Sequence, residues 1–168
     1  MSDFLSALFW YLAIMLIGVI SFPIAFRFLS RLPGKGYAFS KPLGLLLWGY
    51  VFWIFAELGV IQNNIGGELL ALLIVLSASG LSLRNGKAAE LWKWVKGNWK
   101  TILGVELVFL LFFVIWAWVR STNPEIVGTE KPMEQAFINA ILNSPTFPPR
   151  DPWLSGYAIS YYYFGYVL

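Results

Sequence analysis

The sequence predicts an all-α, polytopic transmembrane protein with four full spans, the start of a fifth, and an interfacial amphipathic helix in a long extracytoplasmic loop. Three observations predict this class. Of the 168 residues, 58% are hydrophobic, only 12% are charged, and the apolar residues form long uninterrupted runs. Soluble domains carry about 25% charged residues, so this composition places the chain in a bilayer.

Four stretches are long and apolar enough to cross the hydrocarbon core, which takes about 20 helical residues. They are residues 4–28, 43–61, 65–83 and 102–119. Pro23 is compatible with a kinked first span, and the run SASG in the third span suits close helix packing in lipid. Residues 157–168 begin a fifth segment that is too short to span. We therefore expect the chain to be the front part of a longer multi-pass protein.

The chain divides into two predicted regions. Residues 1–101 hold three spans and the segment KAAELWKWVKGNWK, whose rings and ammonium groups are typical of the membrane interface. We interpret this segment as a plain anchor, with recognition of anionic lipid as the alternative. Residues 102–168 hold the fourth span, an outer loop over 121–156 and the partial span 157–168.

The basic residues alternate between connections in a way that predicts topology. Nine flank the first and third connections, none lies in the second, and three follow the fourth span. They are Arg27, Arg31, Lys35, Lys41, Arg84, Lys87, Lys93, Lys96 and Lys100, against Arg120, Lys131 and Arg150. Cytoplasmic loops carry the excess of Lys and Arg, so we predict a cell-membrane protein with its N-terminus and the 121–156 loop outside. The net charge of +3 is too small to suggest nucleic acid, and membrane lipids are the expected partners.

The chain has no Cys and no His. This excludes disulfides, thiolate nucleophiles, imidazole bases and soft-metal sites. Any catalysis must use carboxylates, Lys, Arg, Tyr or a hard cation such as Mg²⁺ or Mn²⁺. Such side chains gather after Ser121, where a site is therefore predicted. They are Glu125, Glu130, Glu134, Asp151, Lys131 and Arg150.

A short amphipathic helix is predicted within this loop. Its apolar stripe consists of Met133, Ala136, Phe137, Ala140 and Ile141, spaced as on one face of a helix. Pro132 suits the first turn, and Pro145 lies just beyond the end. A helix with this stripe, tethered close to a bilayer, should lie flat on it. Glu130 then stands at its N-terminus.

Glu130 and Asp151 are the candidate catalytic carboxylates and the candidate metal ligands. Glu130 is either a general base or metal ligand, or a first-turn carboxylate that complements the helix dipole. Asp151, in the rigid sequence PPRDPW, either converges on Glu130 or closes a turn. Arg150 suits bidentate phosphate binding, and Lys131 is the second candidate phosphate ligand.

The Tyr triplet 161–163 covers nearly one helical turn, so its phenols should splay apart. We interpret the triplet as an aromatic belt at the outer interface. Within this belt, Trp153, Tyr161 and Tyr162 are the candidates for substrate contact.

Glu57 and Glu106 lie inside predicted spans, where a carboxylate is costly and faces a bundle interior. Each could belong to a proton or ion relay. Among the predicted spans only the last residues of the first include a cation, Arg27, and no Lys or Arg lies in mid-span, so we favour a protonated or paired glutamate that joins helices.

Three motifs, EKPMEQAFINAIL, FPPRDPWLSGY and YYYFG, together resemble the prokaryotic YYY-domain family of membrane proteins. The resemblance covers residues 106–168 and reaches the first three spans only by hydropathy. Members of that family are longer, which agrees with the expected fragment. The sequence departs from the family pattern at Ser160, where Asn is expected.

The layout of that family is similar in turn to the first outer loop of the GT-C glycosyltransferases. This resemblance implies transfer of a sugar from a polyprenyl-phosphate donor on the extracytoplasmic side. It implies the essential loop carboxylate for Glu130, as base or metal ligand, with Asp151 second. Arg150, Lys131 or Mg²⁺ would then meet the leaving phosphate. The alternatives are a transporter or channel component, suggested by the two glutamates within spans, and a non-catalytic membrane scaffold.

Overall fold

The computed structural model describes residues 3–154 and 156–168 and is all-α, as predicted. In chain order it has α1 (Asp3–Phe28), a 3₁₀ segment (Pro33–Phe39), α2 (Ser40–Glu57), α3 (Ile65–Ser82), α4 (Lys87–Gly97), α5 (Trp99–Thr122), α6 (Lys131–Asn143) and α7 (Phe164–Val167). Within this described part, four helices are long and apolar enough to cross a membrane: α1, α2, α3 and α5. The four predicted spans are thus confirmed, with helix ends displaced by a few residues.

The predicted fifth segment differs from the structure at its start. Only Phe164–Val167 is helical, because the preceding residues pair with the Pro-rich loop. Arg150 and Ala158 form an isolated antiparallel bridge. The Ile159 N–H donates to the Pro149 carbonyl at 2.9 Å. These contacts hold the segment extended, which corrects the helix start from residue 157 to Phe164.

The chain forms two compact units, and α2 and α3 contribute to both. Unit 1 comprises the chain up to Leu45 together with Val75–Pro124. Unit 2 comprises Leu46–Ile74 and Glu125–Leu168. The units cut across the two predicted regions, because the middle of the chain folds with the residues of the long loop.

Unit 1 has its core where α1 meets α4. Phe22 and Phe26 are buried, and the Trp94 ring packs on them at centroid distances of 5.6 and 6.1 Å. Trp94 is half-buried against this core. Trp92 and Trp99, by contrast, are 59% and 56% exposed, and the interfacial position of the segment stays a prediction.

Two glycines set the close approach of α1 and α2 within unit 1. A Cβ on Gly18 would lie 2.7 Å from Cγ of Lys41, and a Cβ on Gly44 would lie 2.8 Å from the Ile17 carbonyl oxygen. The Ser21 hydroxyl also donates to the Ser40 carbonyl. Small residues at such contacts let membrane helices pack backbone to backbone, which brings Lys41 against α1.

Unit 2 is built around a core that joins α2, α3, α6 and the end of the chain. Its buried members are Phe52, Ala56, Ala71, Phe137, Ile141, Phe147, Ile159 and Tyr163. The apolar stripe of α6 thus faces protein. The predicted stripe is correct, but Phe137 and Ile141 are covered by other side chains of the chain, so the stripe does not require lipid to cover it.

Each unit holds contacts between connections that are distant in sequence. In unit 2, Asn63 between α2 and α3 contacts the C-terminal end of α6. In unit 1, the Arg27 guanidinium at the end of α1 donates to the carbonyls of Leu81 and Ser82 at the end of α3, both at 3.4 Å. The topology of the spans stays a prediction.

Candidate functional site

The N-terminus of α6 carries the first candidate carboxylate. Glu130 is the N-cap residue, is exposed, and its side chain makes no capping hydrogen bond within the described residues. Pro132 occupies the first turn, as predicted. Lys131 is exposed beside it. The Glu130 carboxylate is therefore not used to close the helix end.

Aromatic rings gather on α6 around one buried side chain. The Phe137 ring meets Trp153 edge-on at 5.4 Å, stacks on Tyr161 at 5.5 Å, and contacts Tyr166 at 5.6 Å. Tyr162 stacks on Tyr161 at 4.0 Å. We call these five residues the Phe137 ring cluster. Its outer members Trp153 and Tyr162 are 62% and 75% exposed, which presents flat aromatic faces at the surface of unit 2.

The Tyr triplet splays only in part, because it forms a bend closed by the Tyr163 N–H and the Tyr161 carbonyl at 2.9 Å and not a regular helical turn. The Tyr161 hydroxyl donates to the Tyr162 hydroxyl at 2.7 Å. Tyr163 points the other way into the core, where its hydroxyl accepts a hydrogen bond from the Trp53 indole at 3.2 Å. Tyr161 and Tyr162 therefore act together at the surface, and Tyr163 is a structural residue.

The phenols of the ring cluster lie in the field of the α6 carboxylates. The hydrogen bond to Tyr162, followed by burial and the charge of Glu130, raises the pKa of Tyr161 to about 12. Burial, followed by the charge of Glu134, raises the pKa of Tyr166. Both phenols therefore stay protonated near neutral pH; the Tyr161 O–H is already donated to Tyr162, so Tyr161 can offer only its oxygen as an acceptor.

Asp151 closes a turn in the Pro-rich loop. Its Oδ1 accepts the N–H groups of Trp153 and Leu154 at 2.8 and 2.9 Å, the side-chain-to-backbone pattern of an Asx turn. The turn sets the position of Trp153 in the ring cluster. A turn closed by Asp151 is the structural alternative that the sequence offers for this residue. Its catalytic role stays a prediction.

Arg150 and Asp151 border a groove between the Pro-rich loop and α6. The groove has a volume of about 390 Å³, and Asn139 and Asn143 line its helical side. The Arg150 N–H donates to the Ser144 hydroxyl at 3.1 Å, which ties the loop to the end of α6. The two predicted carboxylates therefore lie in different places. Glu130 lies near the ring cluster, and Asp151 lies at the groove.

Asn63 is a residue of unit 2 that sequence reasoning missed. Its side-chain N–H groups donate to the carbonyls of Ile141 at 2.6 Å and Ser144 at 2.7 Å. Its backbone N–H donates to the Pro145 carbonyl at 3.0 Å. The three contacts add donors at the C-terminal end of α6 and the two residues that follow it, where the Ile141 carbonyl also accepts the Ser144 N–H at 3.1 Å. Nothing local in the sequence indicates that an Asn so far from α6 would meet this helix end.

Replacing Asn63 by Ala should destabilise unit 2 by about 1–3 kcal/mol, because the Ser144 carbonyl loses its side-chain donor and the Ile141 carbonyl keeps only the Ser144 N–H. Hydrogen exchange at the C-terminal end of α6 should accelerate in parallel. The neighbouring exposed Gln62 supplies the control, and Gln62→Ala should change stability by less than about 0.5 kcal/mol. Equal effects of the two substitutions on exchange would show that the Asn63 contacts do not hold this helix end.

A second polar cluster lies within unit 1. The Lys41 ammonium contacts Oε1 of Glu106 at 2.6 Å, and the Tyr37 hydroxyl donates to the same oxygen at 2.7 Å. The two charged side chains are only 8% and 17% exposed. Oε2 of Glu106 is buried without a hydrogen-bond partner among the described residues. Glu106 is thus a paired glutamate that joins helices, the interpretation favoured over a relay.

Metal binding in the described residues would depend on few protein ligands. No group of three or more Asp or Glu side chains comes together there in a way that could hold an ion. A Mg²⁺ or Mn²⁺ ion at Glu130 or Asp151 would take most of its ligands from phosphate oxygens and water, as Mg²⁺ sites often do. Such an ion stays a proposal, and the chemistry proposed below is not routed through it.

Four of the described helices are long and apolar enough to cross a membrane, and the chain is an integral multi-pass membrane protein. The chain belongs to the family described as Uncharacterized membrane protein (DUF2298), which it matches over residues 47–168. The match begins in α2 and includes the whole of unit 2 apart from its first residue. No curated protein and no solved structure matches the chain.

Proposed function

We propose that this protein is a membrane transferase that moves a sugar from a polyprenyl-phosphate donor to an acceptor hydroxyl, or the N-terminal part of such an enzyme. One observation carries the proposal. A single short helix, α6, has a carboxylate at its N-terminus, an aromatic cluster around Phe137 in its middle, and a polar groove bordered by Arg150 along another side. A base, a sugar platform and a phosphate ligand are the three groups that glycosyl transfer requires.

In this mechanism Glu130 is the general base. It would take the proton of the acceptor hydroxyl as that oxygen attacks the sugar carbon bonded to the phosphate. The carbon–oxygen bond to the phosphate breaks, and the polyprenyl phosphate leaves with the electron pair. The Tyr166 phenol, protonated near neutral pH, would donate a hydrogen bond to a sugar hydroxyl, and the Tyr161 oxygen, whose O–H is donated to Tyr162, would accept one. Trp153 and Tyr162 would offer exposed faces for the sugar ring.

Arg150 is the proposed ligand of the leaving phosphate. Its guanidinium is suited to paired hydrogen bonds with phosphate oxygens, and it borders the groove with Asn139 and Asn143. Lys131 is the second cation, exposed at the start of α6. Asp151 is proposed to act mainly by shaping the loop, since its Oδ1 already accepts two backbone N–H groups.

The proposal is tested by replacing Glu130 with Gln in the full chain and measuring sugar transfer in membrane vesicles supplied with labelled polyprenyl-phosphate sugars. Loss of a general base should lower turnover by about 10²–10⁴-fold. Glu125→Gln is the matched control, because Glu125 is an exposed carboxylate outside any helix of the same loop. Membrane insertion should be unchanged in both variants. Turnover in Glu130→Gln equal to that in Glu125→Gln would refute the proposed base.

A further inference from the structure

An aromatic groove runs along the seam between α1 and α5 in unit 1. Its volume is about 350 Å³. Its principal lining residues are Trp10, Phe109, Phe112, Phe113 and Trp116, with Arg120 at one end. Trp10, Phe112 and Trp116 are 62%, 64% and 73% exposed in the protein alone. Since α1 and α5 are both spanning helices, a lipid chain is what would cover these rings.

The length of the groove matches one leaflet. Phe109 and Arg120 are separated by eleven helical residues, which corresponds to roughly 16 Å along the axis. Half of the hydrocarbon core is about 15 Å thick. A chain lying in the groove would therefore begin near the middle of the bilayer and end at the surface, where Arg120 lies.

Arg120 gives the groove a charged end. Its guanidinium donates to the carbonyls of Asn123 and, at 3.1 Å, Pro124. These two bonds hold the side chain at the end of α5. A guanidinium has five N–H donors, so it can hold these carbonyls and bind a phosphate at once.

The other flank of the same seam provides an internal comparison. A second apolar groove there, of about 500 Å³, is lined by Leu8, Val114 and Trp118. At the corresponding end it has Ser121 and no cation. The two flanks thus differ in charge at the membrane surface and not in their apolar character.

We propose that the groove ending at Arg120 binds the isoprenoid chain of a polyprenyl phosphate, with the phosphate on Arg120. The identity of the lipid rests on the function proposed above. One narrow groove with one cation fits a phosphate that carries a single chain, whereas a phospholipid brings two. The methyl branches and double bonds of an isoprenoid chain also pack well between aromatic rings. The inference adds a holding site for the donor lipid, distinct from the residues assigned to transfer.

The test is native mass spectrometry of the full chain in lipid nanodiscs, titrated with a long-chain polyprenyl phosphate. Arg120→Gln should weaken binding about ten-fold, as expected for loss of a charge-assisted hydrogen bond. Trp116→Ala should weaken it several-fold. Trp118→Ala is the matched control, since Trp118 is also on α5 and 67% exposed, but lines the other groove. It should leave binding unchanged.

Two further ligands identify the source of the affinity. Uncharged polyprenol and the diacyl lipid phosphatidylglycerol should both bind at least about ten-fold more weakly than polyprenyl phosphate. Equal binding of either, or equal losses in Trp116→Ala and Trp118→Ala, would overturn the inference. Glu130→Gln should retain full binding of polyprenyl phosphate. Loss of transfer and loss of binding are therefore separable, and each proposal can fail alone.

Discussion

Replacing Glu106 by Gln should destabilise the protein by about 3–5 kcal/mol, because it leaves the Lys41 ammonium buried without a countercharge. The Lys41 side chain is only 8% exposed, and its ammonium contacts Oε1 of Glu106 at 2.6 Å. The Phe109 ring lies 4.7 Å from the same ammonium. This ring cannot replace a full negative charge in a low-dielectric setting. Reversible unfolding in mixed detergent micelles, followed by circular dichroism, measures the loss.

The chain contains a matched control for this prediction. Lys87 and Glu90 on α4 form a pair with the same 2.6 Å contact, but their side chains are 40% and 57% exposed. Glu90→Gln should therefore change stability by no more than about 0.5 kcal/mol. A loss in Glu106→Gln as small as that in Glu90→Gln would mean that the inner pair is hydrated and contributes little.

A double variant separates charge from packing. Lys41→Met combined with Glu106→Gln removes both charges and keeps an acceptor for the Tyr37 hydroxyl. Replacing a buried ion pair by uncharged groups of similar size is often nearly neutral. The double variant should therefore recover most of the stability lost in Glu106→Gln alone. Failure to recover would indicate that the Lys41–Glu106 contact itself, and not charge balance, holds α5 in unit 1.

The Lys41–Glu106 pair also shows what hydropathy could and could not predict from the sequence. Hydropathy located every spanning helix, because about 20 apolar residues in a row are a strong signal. It did not locate the first residues of α2, which begins at Ser40 instead of residue 43. Prediction from the sequence therefore assigns Lys41 to the first connection, although its side chain is buried. The other eight basic residues that flank the first and third connections still outnumber the three from Arg120 onward.

The arrangement of the residues around the candidate site could be predicted from the sequence only in part, and their roles stay predictions. The 3.6-residue stripe of α6 is readable locally, and so is the Pro that begins it. What covers the stripe depends on Phe52, Ala71 and Ile159, which lie far away in sequence. The prediction for the Tyr triplet missed its arrangement for the same reason. The residues before α7 pair with the Pro-rich loop and do not have the helical spacing that the prediction requires. Long-range contacts of this kind have no local signature.

Phe137 is the side chain on which both the core of unit 2 and the ring cluster depend. It is 4% exposed, and the rings of Trp153, Tyr161 and Tyr166 all contact it. Phe137→Ala should cost about 3–5 kcal/mol, the usual loss when a buried Phe is truncated and its cavity cannot collapse. Leu142→Ala, on the same helix but 72% exposed, should change stability by less than about 0.5 kcal/mol.

The same substitution tests whether the ring cluster is needed for the proposed transfer. Without Phe137, Tyr161 and Trp153 lose the surface on which they are stacked, so turnover should fall even at temperatures where Phe137→Ala remains folded. Phe137→Leu, which retains much of the apolar volume, should keep more stability but lacks the ring face for Tyr161. If Phe137→Leu had wild-type turnover, aromatic stacking would not be what positions the Tyr161 phenol. If it lost turnover while remaining folded, the flat ring itself would be required beside Glu130.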